Sequence, residues 1–543
     1  MQNWIVHKVL SEAVVKYPNK PFLICSEQSV SFKELDELSD ILATALLKEG
    51  FEKGDCLAVL ALNQVEWLYT YFAASKIGVC VVALNVRYRE SELVYMLNNS
   101  KAKGIVSISE YQGFKFSSLL ERIKGKIPTV EKIIFLEQGI LGSLSFNDLL
   151  SLPLDREGLE SVKQTVQEDD LVLIIYTSGT TGKPKGTLIT NRSILESAKA
   201  QVDHLSIQED DRTIGCLPLN HVGGITCTVH CSLISCGSIV LIPEFIPEKV
   251  LEVIDELKPT VFGGVPTMYI MLLSHTGINK YNLNSLKICI VGGSNVDPGL
   301  CLAIESQLPE AKIINLYGLS ESSGACILSR LSDSMAKVLE SIGVPIGDFK
   351  VKIVDDKRKE LPNGEVGELA IMGRCAAKGY LGLEKETNNV FSEDGWLYTG
   401  DIAYLNHEGY VVYKGRKKEM YIQGGYNVYP VEVENILMEH SKVALAAGVG
   451  VPDAFLGEIG RYYIMPKAGQ TITEEEVILY CNKHLADYKV PRQVVFVKQF
   501  PQTPAGKIQK TVLKQQYLAQ ESKNESPFLQ FSDDNMPKKQ QLE

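Results

Sequence analysis

Short apolar, β-branched runs alternate with helix-length segments over most of the chain. Asp55–Leu62 (DCLAVLAL) reads as a strand, Gln64–Ile77 as a helix, and Val79–Leu84 (VCVVAL) as the next strand. The same texture recurs around GSIVLIPEF, PTVFGGV, LKICIVGGS and AKIINLYG, each beside a segment of helical length. Such alternation predicts an α/β fold of layered, largely parallel sheets. No internal repeat of solenoid period is present.

From about Glu340 the pattern shortens. Val351–Gly373 has brief strands around a Pro-Asn-Gly turn, which predicts a mixed or antiparallel β-rich subdomain. A basic, glycine-containing break follows at Gly415–Lys418. Beyond it, VYPVEVENILMEH, VALAAGVGVPD, EEEVILYCNKHLADY and QVVFVKQFP make a small C-terminal α+β domain of ordinary size. The expected division is a large N-terminal domain over 1–414, a junction at 415–418 and the small domain over 419–520. A polar tail follows at 521–543, poor in strand formers and expected to be mobile.

At 543 residues, the chain exceeds one ordinary core. A formal charge of -11 argues against nucleic acid as a partner, while leaving local anion-binding loops unaffected. The twelve cysteines stand singly, with no CxxC pair or zinc spacing; Cys227 and Cys231 read as small buried thiols. This favours a reducing, cytoplasmic location. The N-terminal residues lack the features of a signal peptide, and no window of about 18 apolar residues marks a spanning helix. Peripheral membrane contact and oligomeric state are left open.

One stretch carries chemistry by itself. In Leu171–Thr190 (LVLIIYTSGTTGKPKGTLIT) an apolar strand runs into glycines, hydroxyls and the cations Lys183 and Lys185. Backbone N–H groups of a glycine-rich turn can converge on one anion, and Ser and Thr hydroxyls add donors. The spacing is not that of a Walker A loop, so a P-loop kinase or ATPase is disfavoured.

The run Tyr176–Gly186 (YTSGTTGKPKG) resembles the signature of the adenylate-forming superfamily of acyl- and aryl-CoA ligases, luciferases and adenylation domains. The resemblance extends over nearly the whole chain, through SFKELD, KGDCLAVLALNQ, LPLNHVGG, NLYGLSES, GWLYTGDIAYLNHEGYVVYKGRKKEMY and PQTPAGKIQK. It implies that Thr177, Ser178, Gly179, Thr180, Thr181 and Lys185 bind ATP phosphates. Tyr317 would stack near adenine, Ser320 contact phosphate and Glu321 help hold Mg²⁺, a cation that prefers oxygen ligands shared with phosphates. Asp401, following Thr399 and Gly400, would accept the ribose hydroxyls with Arg416 nearby. Lys507 would bridge the substrate carboxylate and the α-phosphate, and Lys418 would be the interdomain hinge. His221 would stand beside the acyl pocket, with Val265, Gly292, Gly293, Ser294 and Gly318 lining it.

The resemblance therefore implies two half-reactions. A carboxylic acid attacks ATP to give acyl-AMP and pyrophosphate, and coenzyme A then displaces AMP to give a thioester. Asn191 stands where many relatives have His, Ser320 replaces the commoner Thr, and VGGSNVDP departs from the usual pocket segment. The expected acid is a medium- or long-chain fatty acid. The alternatives are an aryl acid, or transfer of the acyl group to a carrier protein. A non-catalytic binder is disfavoured, because the loop, Glu321, Asp401, Arg416 and Lys507 occur together.

Overall fold

The apolar run at Leu171–Thr177 is hidden on both sides. It lies parallel to Cys80–Leu84 and antiparallel to Lys185–Thr190, with Thr177 opposite Lys185. A strand in that position has no solvent face, which explains its unbroken hydrophobic sequence. The computed structural model describes residues 4–26, 28–140, 142–177, 183–293, 296, 298–453, 455–503 and 506–524.

Two compact units emerge, one holding Met1–Lys417 and Pro504–Lys507, the other Lys418–Thr503 and Ile508–Glu543. In the first, a seven-stranded sheet runs Lys185–Thr190, Leu171–Thr177, Cys80–Leu84, Cys56–Leu60, Gly104–Ser107, Lys132–Phe135, Leu144–Ser145. A nine-stranded sheet has at its centre Lys312–Leu319, Ile288–Gly292, Val261–Gly264, Arg212–Gly215, Ser238–Leu241 and Pro21–Ile24, all parallel. Antiparallel strands close both of its edges, with Gly324–Leu328 beside Lys312–Leu319. The β-rich subdomain is a four-stranded antiparallel sheet of Lys350–Val354, Gly367–Met372, Leu397–Leu405 and Val411–Arg416.

The expected helix after the Cys56–Leu60 strand spans Val65–Lys76, and almost all of it is buried. It belongs to a core that draws Val59 and Val81 from one sheet and Phe22 and Ile239 from the other. Its last residue, Lys76, is fully buried, with Nζ 2.7 Å from both Asp36 and Asp40. Those two carboxylates offset the cost of taking an ammonium out of water.

Asn191 is also a structural residue. Its Oδ1 accepts the Val6 N–H at 3.1 Å, and its Nδ2 donates to the carbonyls of Gln167 and Asp170. The amide thus ties the N-terminal helix Val6–Lys16 to the turn that precedes Leu171.

The second unit pairs Tyr426–Val428, Tyr421–Gln423, Gly457–Pro466 and Val443–Asp453 antiparallel, and Gln493–Phe496 joins Gly457–Pro466 in parallel. Helices Pro430–Glu439 and Glu474–His484 enclose a core that includes Tyr421, Val433, Tyr462 and Cys481. The last helix runs from Lys510 to Asn524, past the point where the tail was expected to begin; the rest of that tail lies outside the described residues.

Two buried histidines tie stability to pH. Burial lowers His230 from its usual 6.5 to about 3. Burial, aided by the charges of Lys163 and Lys76, does the same to His7. The unfolded chain binds these protons below pH 6.5 and the folded chain does not until about pH 3, so stability falls as pH drops through that window. Each histidine should remove ~2 kcal/mol between pH 6.5 and 5. Urea unfolding at pH 7 and pH 5 checks this: the difference between the two should shrink by about that amount in His230→Phe.

Candidate active site

Several of the sequence-predicted residues lie within contact distance of one another in the first unit. Strand Lys185–Thr190 has a free edge, and residues 378–381 are laid along it. Lys378 N–H donates to the Leu188 carbonyl, Leu188 N–H to Gly379 and Leu381 N–H to Gly186, at 2.8–2.9 Å. The same segment reaches the nine-stranded sheet through Ala377 N–H, which donates to the Glu321 carbonyl at 2.8 Å. Tyr380 consequently sits between two predicted site residues. Its hydroxyl donates to Glu321 Oε1 at 2.5 Å, and Lys185 Nζ lies 5.0 Å from its ring centre. Burial and the Glu321 charge hold the phenol far above its usual range, so it remains a donor.

A second group forms where strand Leu397–Leu405 meets the end of Lys312–Leu319. Asp401 is buried, its Oδ2 accepting the Tyr317 hydroxyl at 2.5 Å and its Oδ1 lying 3.1 Å from Arg416 Nε. Antiparallel register sets Asp401 directly opposite Arg416. Gly400 has φ 71°, a left-handed conformation that suits glycine, and its N–H donates to Glu368 Oε1 at 3.0 Å. Thr399 supports the bend, its hydroxyl donating to the Leu369 carbonyl and accepting the Asp401 N–H. Ser320 is buried at the start of the turn Ser320–Ser322 that ends the Lys312–Leu319 strand.

A mainly apolar cavity opens beside these groups and encloses about 910 Å³ of empty space, part of it open to solvent. Lys507, which the sequence division counts with the small domain, groups instead with the first unit. The Gly506 carbonyl accepts the Thr267 hydroxyl at 3.5 Å, and the lysine side chain passes over Gly293. A Cβ at Gly293 would stand 3.0 Å from Lys507 Cε and 3.3 Å from Val265, and φ there is +83°. The left-handed turn favours glycine at 293, and the lysine side chain fills the space beside it.

Burial, followed by the Arg416 charge, lowers the Lys507 ammonium below its usual value, against the pull of Asp401 and Glu321. His221 also lines the cavity, and its Nδ1 accepts the Gly223 N–H at 3.1 Å. Burial and the Lys507 charge bring it down to about 3. The neutral ring then carries its proton on Nε2, leaving that nitrogen as a donor.

Val265, Gly292, Gly293 and Gly318 line this cavity. Thr177 ends its strand opposite Lys185. Ser178, Gly179, Thr180, Thr181 and Ser294 lie outside the described residues. Lys418 is the first residue of the second unit. Sequence reasoning missed Tyr380, whose only signal is the AKGYLG run after the β-rich strands, and Glu368. It also missed Gly263, which lines the cavity with only Leu217 Cδ1, at 4.0 Å, near the place of a Cβ.

The family model for AMP-binding enzyme matches residues 10–381, and that for the AMP-binding enzyme C-terminal domain matches residues 432–507. The chain belongs to the AMP-binding enzyme family. It is 30% identical over 546 residues to a long-chain-fatty-acid–CoA ligase of Bacillus subtilis strain 168, covering 96% of each chain. It is 31% identical over 494 residues to the 3-[(3aS,4S,7aS)-7a-methyl-1,5-dioxo-octahydro-1H-inden-4-yl]propanoyl:CoA ligase of Rhodococcus jostii strain RHA1, covering 90% and 94% of the two chains. Among solved structures, the anthranilate CoA ligase AuaEII in complex with anthranoyl-AMP matches with a TM-score of 0.87 and 28% identity, covering 96% of this chain and 98% of that one.

This protein is thus an ATP-dependent, adenylate-forming acid ligase. Among the described residues, no helix is long and apolar enough to cross a membrane, and no group of three or more His, Cys, Asp and Glu side chains could hold a metal ion.

The open space at Gly263 yields a direct test. Gly263→Val adds a side chain to the cavity without backbone strain, since φ there is not left-handed. The KM for the acid should rise about tenfold or more, with the KM for ATP unchanged, in steady-state pyrophosphate release.

Proposed function

We propose that the enzyme joins a ring-bearing, aryl-type carboxylic acid to coenzyme A through an acyl-AMP intermediate. The observation that carries this reading is the slot beside Lys507. Gly263, Gly264, Gly292 and Gly293 line it from adjacent strand ends, with Gly318 and Gly324 also contributing. Among these glycines Gly263 is the one whose missing side chain leaves open space, which gives room for a planar ring, and His221 stands at the same cavity. The anthranoyl-AMP bound by the matched AuaEII supports the same choice. A second reading, the medium- or long-chain fatty acid, draws on the farther lining at Val261, Leu205 and Ile207, which suits an aliphatic extension.

In the proposed first step, the acid's carboxylate oxygen attacks the α-phosphorus of ATP as the bond to pyrophosphate breaks. Both reactants are anionic, so Lys507 supplies the positive charge between them and His221 Nε2–H donates to the carboxylate. Lys185 and the Ser178–Thr181 loop hold the β- and γ-phosphates. Tyr317, Asp401 and Arg416 hold the nucleoside, with Asp401 accepting the ribose hydroxyls. Glu321 is a fitting Mg²⁺ ligand: one carboxylate, steadied by Tyr380, suffices for an ion that takes its remaining ligands from phosphates and water. That ion would neutralise charge on the departing pyrophosphate.

In the second step, rotation at Lys418 withdraws Lys507, and the thiolate of coenzyme A attacks the acyl carbonyl. The C–O bond to AMP breaks and AMP leaves with the electron pair. The reading includes a cytoplasmic location.

A panel of benzoic, anthranilic, cinnamic, octanoic and palmitic acids, scored for pyrophosphate release with and without coenzyme A, tests this. The expected result is preferred turnover of the ring-bearing acids and thioester only with coenzyme A. Preference for palmitate would favour the second reading, and absence of pyrophosphate release from every acid would overturn both. Lys507→Ala should slow adenylation by roughly 10²–10³-fold while sparing thioester formation from supplied acyl-AMP.

A further inference from the structure

The chain passes between its two units at Lys417–Lys418, before Pro504 and at Lys507–Ile508. Just inside the second unit, the first and last of these passages are joined by a partly buried charge cluster. Lys510, at the start of the last helix, places Nζ 3.0 Å from the Glu419 carboxylate and 2.7 Å from that of Glu434. Glu434 lies buried on helix Pro430–Glu439, and its Oε1 also accepts the Gly448 N–H at 2.7 Å from strand Val443–Asp453. One ammonium therefore connects the residue after Lys418, the segment three residues beyond Lys507, and the core of the small unit.

Glu434 alone would balance the charge of Lys510. The bond to Glu419 does something more, because it fixes the chain where it enters the second unit to the chain that carries Lys507 out of the first. Burial opposes the Lys510 charge, and the two carboxylates outweigh it, so the ammonium persists. A partly buried, doubly paired ammonium is a stiffer connection than a single exposed ion pair.

We propose that Lys510 is a positioning residue: its ion pairs with Glu419 and Glu434 make the Lys418 link and the Lys507 segment move as one body. This rests on the adenylation and rotation described under the proposed function. Rotation at Lys418 then fixes where Lys507 goes, and loosening the cluster blurs the lysine's placement over the reacting anions without altering the ATP or acid sites. Misplacement of a reacting or stabilising group by about 1 Å can cost up to ~10²-fold in rate.

The test uses the full-length enzyme with its best acid, comparing acyl-AMP formation with thioester formation from supplied acyl-AMP. Glu419→Gln leaves the Lys510–Glu434 pair in place, so the fold of the small unit is retained. It should slow acyl-AMP formation roughly tenfold, with thioester formation and the KM for ATP within about twofold of wild type. Lys510→Met should show the same split more strongly, and Lys510→Arg should restore most of the lost rate. Equal losses in both half-reactions, or none in Glu419→Gln, would overturn the positioning role, since a merely structural residue would not separate them. Failure of the wild-type enzyme to form acyl-AMP from any of the acids would overturn the ligase reading itself, and this inference with it.

Discussion

The site depends on a short piece of backbone pairing. Residues 378–381 lie along the free edge of strand Lys185–Thr190, and the preceding Ala377 N–H reaches the Glu321 carbonyl. Unpaired edge groups are a liability in any sheet, and here they receive partners from a distant part of the chain. That pairing brings strand Lys185–Thr190 of one sheet to the Tyr317–Glu321 segment of the other, with the Tyr380 phenol between Lys185 and Glu321. Without it, the cation and the carboxylate would belong to separate layers.

Around this frame, charges are held close but not cancelled. Asp401 is buried, and both of its oxygens are engaged, by Tyr317 and by Arg416. The Lys507 ammonium feels Arg416 as a repulsive neighbour and Asp401 and Glu321 as attractive ones. Burial and Arg416 both oppose the Lys507 charge, and an anion beside it would offset them. The neutral His221 follows from the same field: burial and the nearby lysine oppose a second positive charge, so the ring serves as a hydrogen-bond donor.

Much of this was legible in the sequence. The strand and helix alternation marked the parallel layers, because period and β-branched composition report burial directly. The β-rich texture after Glu340 marked the antiparallel subdomain, and the motifs marked Lys185, Glu321, Asp401, Arg416 and Lys507. Tyr380 and Glu368 escaped notice because a single tyrosine in a connecting segment or a single glutamate in a strand carries no periodic signal; their meaning comes from partners far away in the chain. Asn191 was read as a substitution in a motif, whereas its amide clamps Val6, Gln167 and Asp170.

By itself, the sequence determined the layered class and the adenylate-forming chemistry. These are local properties, set by side-chain period and by short runs whose atoms act together. Only the tertiary structure decided that Lys507 crosses Gly293, that Gly263 faces open space, and that Lys510 joins Glu419 to Glu434. Those facts depend on which distant backbones approach within a few ångströms, and a linear pattern does not encode that distance.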